Sequence, residues 1–221
     1  MNPLGKDFNE FFINLAPNNN KEWFDEHRKE YHSVIKEPFE QFVAALIGAI
    51  QQYDPKMKVS PKVCIFRINR DIRFSKDKTP YKLNRSAAIN YGGRKDFTAS
   101  GLYVEVGPEH IRIYRGLFQL DKPAIEKIRN YWAKNMDAFK KAYSNKAFIN
   151  SYGSIRGETN TRIDKDLKEA AEKEPLLYNK SWYFFSQLPA SEVDNPKLID
   201  LLVAHYLAGQ EMCDLFIKAL H

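Results

Sequence analysis

Leu-Tyr-Val-Glu-Val-Gly-Pro-Glu-His-Ile-Arg-Ile-Tyr-Arg, residues 102–115, decides the fold class. Two short runs of strand-forming side chains flank Gly107-Pro108-Glu109-His110, which reads as an antiparallel hairpin. Pairing Leu102 to Val106 with Ile111 to Arg115 sets Glu105 opposite Arg112 and Tyr103 opposite Tyr114, both favourable cross-strand pairs. Upstream, Ser86 to Tyr91 reads as another strand, ending in the Gly92-Gly93 turn. From Val63 to Phe74 the period is also two, with Cys64, Phe66, Ile68, Ile72 and Phe74 on one face and Arg67, Asn69, Asp71 and Arg73 on the other. A half-buried strand is expected there. Arg70 falls on its apolar face and needs a carboxylate or carbonyl partner, for which Asp77 is a candidate.

Helical periodicity occupies both ends of the chain. Asp7 to Leu15 forms a short amphipathic helix, stopped by Pro17 and by Asn18, Asn19 and Asn20, one of which caps the helix that follows. That helix carries Trp23, Phe24, His27, Tyr31, Val34 and Ile35, and its stripe resumes after Pro38 as Phe39, Phe42, Val43, Leu46, Ile47 and Ile50. Pro38 should kink or split it. Asp121 with Pro123 opens a helix burying Ile125, Ile128 and Trp132, and a second helical stretch follows near Met136 to Tyr143. A charged helix from Asp164 to Glu174, a short aromatic strand from Trp182 to Ser186 and a long terminal helix after Asn195-Pro196 complete the pattern. Strands clustered in the middle with helices at both ends indicate an α+β fold, a small central antiparallel meander flanked by helices. Without an internal repeat or linker, one domain over residues 1–221 is expected.

With 43% hydrophobic and 28% charged residues in 221, the chain is globular rather than disordered. No apolar run approaches the roughly 20 residues of a membrane span, and Met1 to Asn20 lacks a signal-peptide pattern. A cytoplasmic protein with no membrane partner is expected. Two cysteines, Cys64 and Cys213, make neither a disulfide framework nor a zinc site.

Net charge is +6, and its distribution says more than its sum. Lys62 to Lys95 holds ten basic residues against Asp71 and Asp77, a local charge of +8, while the remainder has 24 basic against 26 acidic residues. One basic segment therefore carries all the positive excess.

Within it, Phe66 to Lys82 runs Phe-Arg-Ile-Asn-Arg-Asp-Ile-Arg-Phe-Ser-Lys-Asp-Lys-Thr-Pro-Tyr-Lys. This string resembles the domain-of-unknown-function family 2461 at Phe66, Arg67, Arg70, Asp71, Arg73, Phe74, Ser75, Lys76, Asp77, Lys78, Pro80, Tyr81 and Lys82. Asn19, Asn20, Trp23 and Phe24 are similar to that family's Asn-Asn-x-x-Trp-Phe opening, and Gly101, Tyr103 and Gly116 fit its glycine and tyrosine positions. The resemblance spans most of the chain to about Arg129 and implies membership without supplying an activity.

The string's own physics points to an anion. Arg67 and Arg73 lie roughly 20 Å apart along an extended strand and do not grip one small anion together. A turn over Ser75 to Pro80 would instead fold Lys76, Lys78 and Lys82 back toward Arg73, with the Ser75 and Tyr81 hydroxyls as further donors. Such a concavity suits an anionic small molecule, a phosphate or carboxylate above all, or a nucleic-acid backbone. The turn from Asn90 to Lys95 would add backbone N–H donors. Two other readings stand beside this one. Arg70, Asp71, Arg73, Asp77 and Lys78 form an internal ion-pair network with a purely structural role; or Asp71 and Asp77 serve as metal ligand or base in an enzyme acting on a phosphorylated or acidic small molecule. The sequence itself assigns no reaction, catalytic residue, metal or cofactor. The rings Tyr81, Tyr91, Tyr103, Tyr114 and Phe118 are either a base-stacking platform or half-buried sheet residues. His27 and His205 read as hydrogen-bonded core residues, Glu105 as the neutraliser of Arg112, and Cys64 as a core thiol.

Overall fold

The computed structural model describes residues 2–96 and 101–221. Helix α1 (Lys6–Leu15) turns Phe8, Phe11, Phe12 and Leu15 inward at helical spacing. The Asn20 side chain accepts the Trp23 N–H at 2.9 Å and so caps α2 (Lys21–Glu26). After α3 (Arg28–Glu30), Tyr31–Lys36 widens into a π-helical segment that leads into α4 (Glu37–Gln51). This is the form the break at Pro38 takes. The proline has no N–H to give, its ring crowds the Val34 carbonyl, and the wider turns ahead of it relieve that clash. A short α5 (Pro61–Cys64) follows.

Four strands form one antiparallel meander: β1 (Arg85–Ile89), β2 (Leu102–Val106), β3 (His110–Leu117) and β4 (Trp182–Pro189), hydrogen-bonded in that order. Every residue of β1 is buried, whereas β2 and β3 alternate buried and half-buried positions as period-two strands must. The Gly107 N–H donates to the His110 carbonyl at 3.2 Å and closes the β2–β3 turn. The expected Glu105–Arg112 pair does not form. Glu105 accepts from the Tyr103 hydroxyl at 3.1 Å and lies 3.2 Å from His110 Nε2, while Arg112 Nε donates to Gln187 at 3.1 Å.

The strand expected over Val63 to Phe74 is also absent. Its first residues are helical, and only the isolated bridges Ile65–Ala87 and Asn69–Tyr81 remain of the ladder. Phe66 N–H still reaches the Ser86 carbonyl at 3.0 Å, Lys82 N–H reaches Ile68 at 2.9 Å, and Arg70 N–H reaches Pro80 at 2.8 Å. There the pairing ends, because Pro80 brings no N–H to continue it. Residues 71–79 then close as a loop, and Phe74, expected on the apolar face, stands 96% exposed.

Beyond the hairpin, Asp121 caps α6 (Lys122–Lys134) by accepting the Ala124 N–H at 2.9 Å; Ile128 and Trp132 are buried there and Ile125 half-buried. Next come α7 (Met136–Ser144), α8 (Lys146–Tyr152) and α9 (Lys168–Lys173), the last shorter than its charge pattern implied because Lys165–Leu167 is a 3₁₀ turn. The long terminal helix is two, α10 (Leu198–Ala208) and α11 (Gln210–Leu220), divided at Gly209.

The chain forms two compact units, one of residues 2–95, 103–113 and 187–203, the other of residues 96, 101–102, 114–186 and 204–221. Fully buried Phe8, Phe11, Phe12, Phe39 and Phe42 centre the first. In the second, Trp132 stacks on Phe139 at 4.2 Å, with Trp182 and Phe216 against them. Among the described residues, no helix is long and apolar enough to cross a membrane.

Candidate anion site

Most cations of the loop after Arg70 are spent within it. Arg70 Nη1 donates to Asp77 at 2.5 Å, to the Thr79 carbonyl at 3.1 Å and to the Thr79 hydroxyl. The same Asp77 accepts the Thr79 N–H and hydroxyl, each at 2.9 Å. Arg73 grips Asp71 through two parallel bonds of 2.9 and 2.7 Å, and Lys78 donates to the Ile72 carbonyl at 3.0 Å. These contacts pull both carboxyls down to about 2, Asp71 chiefly through the Arg73 side chain and Asp77 chiefly through the Thr79 N–H and Arg70. Ser75 is half-buried and Lys76 exposed. Among the described residues, Lys76 has no partner.

Tyr81 is clamped from the other end of the family string. Asn19 donates to its carbonyl at 2.9 Å and accepts its N–H at 3.1 Å, and its buried ring stacks on Phe24 at 4.0 Å. Burial first, then the Asp25 charge, holds its hydroxyl above the ordinary tyrosine range. That hydroxyl therefore belongs to the environment of α2.

A different group of cations is left over. Arg85 opens the edge strand β1 and is 6% exposed, with its guanidinium 5.6 Å from the Phe39 ring centroid. Among the described residues it has no ion pair and no hydrogen bond, and Nε is fully enclosed. The adjacent Ser86 hydroxyl is likewise buried without a partner. Burial works against the Arg85 charge, and the electrostatic pull of Tyr31 and Glu40 favours it. Tyr31, on the π-helical segment, is itself raised by burial and drawn back by Arg85. Lys82 stands in the same field, half-buried, with Nζ 5.5 Å from the Phe66 centroid. Burial, then Arg85, and more weakly Arg67, push its ammonium down, against the pull of Glu105. Arg67 is exposed.

Of the predicted donors, then, Lys82 and Arg67 interact electrostatically with each other, Lys82 also with Arg85, and Arg85 in turn with Tyr31; the sequence reading passed over Arg85 and Tyr31. Arg85 had a legible signal: strand alternation puts it in phase with Ala87 and Ile89, both fully buried. A strand begun one residue later, at Ser86, hides that phase.

The other buried cation nearby in sequence shows what a satisfied arginine looks like. Arg115, 3% exposed, donates from Nε to the Gly101 carbonyl at 2.9 Å, from Nη1 to the Tyr206 carbonyl and from Nη2 to Gln210 at 3.1 Å. Its plane lies over Tyr206 at 4.1 Å.

The remaining candidates are accounted for locally. In the Asn90 to Lys95 turn, Gly93 has φ +71° and a Cβ there would sit 2.7 Å from the Val63 carbonyl oxygen, so the turn is docked on α5. Arg94 fastens it by donating to the Lys62 and Val63 carbonyls at 3.1 and 3.0 Å, and the Tyr91 hydroxyl donates to Asp54 at 2.9 Å. His27 stacks on Trp23 at 3.8 Å with Nδ1 2.8 Å from the Trp23 carbonyl, and His205 Nε2 lies 3.1 Å from the Ser186 hydroxyl. Burial pushes the Cys64 thiol up to about 11 and raises Cys213 too. No cluster of three metal-ligating side chains occurs among the described residues. A cleft of about 480 Å³ runs beside Leu83, Asn84, Glu105 and His110.

An α+β protein built on a four-stranded antiparallel meander is the class this fold defines. The chain belongs to the family described as conserved hypothetical protein DUF2461, which matches residues 7–214. No curated protein and no solved structure matches the chain.

Proposed function

We propose that this protein binds a small anionic ligand through a phosphate or carboxylate group seated on Arg85 and Lys82, with Arg67 at the entrance. The observation that carries the reading is Arg85, a cation 94% withdrawn from water that makes neither an ion pair nor a hydrogen bond among the described residues. Burying a charge that way costs several kcal/mol, and an oxyanion accepting from the guanidinium offsets that cost. Tyr31 interacts electrostatically with the same charge. Such depth favours a compact ligand over a nucleic-acid backbone, which needs cations laid along an open surface. An internal ion-pair network describes the loop after Arg70 and leaves Arg85 unexplained. The two free, buried thiols fit a reducing, cytoplasmic setting.

Thermal melts with inorganic phosphate test the proposal. Phosphate at about one hundred times its Kd stabilises the wild type by about 2.7 kcal/mol. Arg85→Met and Lys82→Met remove the effect and Arg73→Ala keeps it. No stabilisation at any phosphate concentration, or full stabilisation in Arg85→Met, overturns the proposal.

A further inference from the structure

We infer that the cleft beside the β2–β3 turn is a second small-molecule site, which takes a primary ammonium attached to a compact apolar body. It goes beyond the anion site and does not depend on it. The lining lies wholly within the first compact unit, and a volume of about 480 Å³ is that of a small-molecule pocket. Part of the lining is hydrocarbon: Phe12 and Ile13 of α1, Ala16 just beyond it, and Leu83. Ile13 and Leu83 are exposed, two large apolar side chains that the core leaves uncovered and that meet in this one cleft. The turn is pressed against the Leu83–Asn84 segment, since a Cβ on Gly107 would stand 3.0 Å from both the Leu83 carbonyl oxygen and Asn84 Cβ.

The polar part is acidic. Glu105 and Glu109 line the cleft with His110, and no lysine or arginine does, in a chain of net charge +6. The Glu105 side chain is 18% exposed and forms no ion pair with a lysine or arginine among the described residues. Its Oε2 accepts from the Tyr103 hydroxyl at 3.1 Å and its Oε1 lies 3.2 Å from His110 Nε2, which fixes the carboxylate in place. A carboxylate offers about four lone-pair sites, so each oxygen can take a further donor. Lys82 feels the Glu105 charge without joining the lining. Asn84, in the same lining, keeps its side-chain oxygen enclosed without a donor, and a small turn of the amide would give it one from the ligand. An anion is repelled by the two carboxylates, and a neutral molecule leaves Glu105 without a counter-charge. A metal ion asks for more ligands than the cleft has, since no cluster of three occurs among the described residues. An ammonium brings three donors, and its apolar body covers Ile13 and Leu83.

Titration calorimetry on the full chain tests this with 2-phenylethylamine and its neutral isostere 2-phenylethanol. The amine is expected to bind about tenfold or more tightly than the alcohol, the ratio that a charge-assisted hydrogen bond supplies. Glu105→Gln brings the amine to the affinity of the alcohol. Ala16→Trp and Glu109→Gln alter exposed positions and decide the matter if Glu105→Gln does not fold: the first fills the cleft and abolishes amine binding, and the second weakens it about twofold or more. Equal binding of amine and alcohol, no saturable amine binding with a Kd below about 10 mM, or amine binding unchanged in Ala16→Trp overturns the proposal.

Discussion

A buried arginine with no acceptor among the described residues and an enclosed Nε is a debit to the fold that replacement by a hydrocarbon removes, so Arg85 separates stability from binding. Arg85→Met should stabilise the protein in urea by about 1–4 kcal/mol, as exchange of buried ions for apolar side chains does elsewhere, while abolishing the response to phosphate. A destabilised Met variant that still binds phosphate contradicts this. Asp77 works in the opposite direction. Its folded pKa, about 2, lies below its ordinary value of 3.8, so the pairing with Arg70 and Thr79 is fully present above 3.8 and is lost as pH falls through about 2. Carboxyl-carbon NMR should therefore place the Asp77 midpoint near 2; a midpoint at the ordinary value would show the Arg70 contact to be absent in solution. The Arg70–Asp77 pair was legible in the sequence, because an arginine among apolar positions needs an acid or carbonyl partner, although the strand assumed around it does not form. Arg85 also falls among buried positions but has no such partner among the described residues, and a strand begun at Ser86 left it out of the reading.

At the level of elements, hydrophobic period located all four strands and most of the helices, and failed where two periods competed. Cys64 to Ile68 shows an apolar alternation that a short helix followed by two isolated bridges satisfies as well as a strand does. What decides is the opposite chain: Pro80 halts the ladder, a long-range effect that a window around residue 68 does not contain. Pro38 was legible as a break, but its conversion to a π-helical segment depends on how the flanking turns pack. The docking of the Asn90 to Lys95 turn on α5 gives a measurable contrast between two glycines. Gly93 and Gly153 share positive φ, +71° and +72°, but only Gly93 faces a neighbour, the Val63 carbonyl at 2.7 Å from an added Cβ, whereas Gly153 has nothing within 4 Å. Gly153→Ala should cost about 1 kcal/mol and Gly93→Ala about 1–3 kcal/mol more in denaturant titrations. Equal losses would mean that the turn does not dock there.

For the molecule as a whole, the +8 segment divides into cations spent within the fold, Arg70, Arg73, Lys78 and Arg94, and cations with no carboxylate partner among the described residues, Lys82 and Arg85 among them. Composition exposes the excess, but only coordinates tell which head groups neutralise Asp71 and Asp77, since both acids lie within a few residues of several bases. A compact ligand on one buried cation carries a distinctive salt response. Phosphate affinity should fall with a log–log slope of about 1 against salt, and a single-stranded oligonucleotide should bind no tighter than inorganic phosphate; a slope that grows with oligonucleotide length identifies a polymer groove instead.

The most direct measurement is the arginine Nε–H NMR spectrum during a phosphate titration. The Arg85 resonance should shift saturably and gain protection from exchange while Arg73, already paired with Asp71, stays in place. Movement of Arg73 with Arg85 unchanged, or no saturable shift at either, contradicts the account.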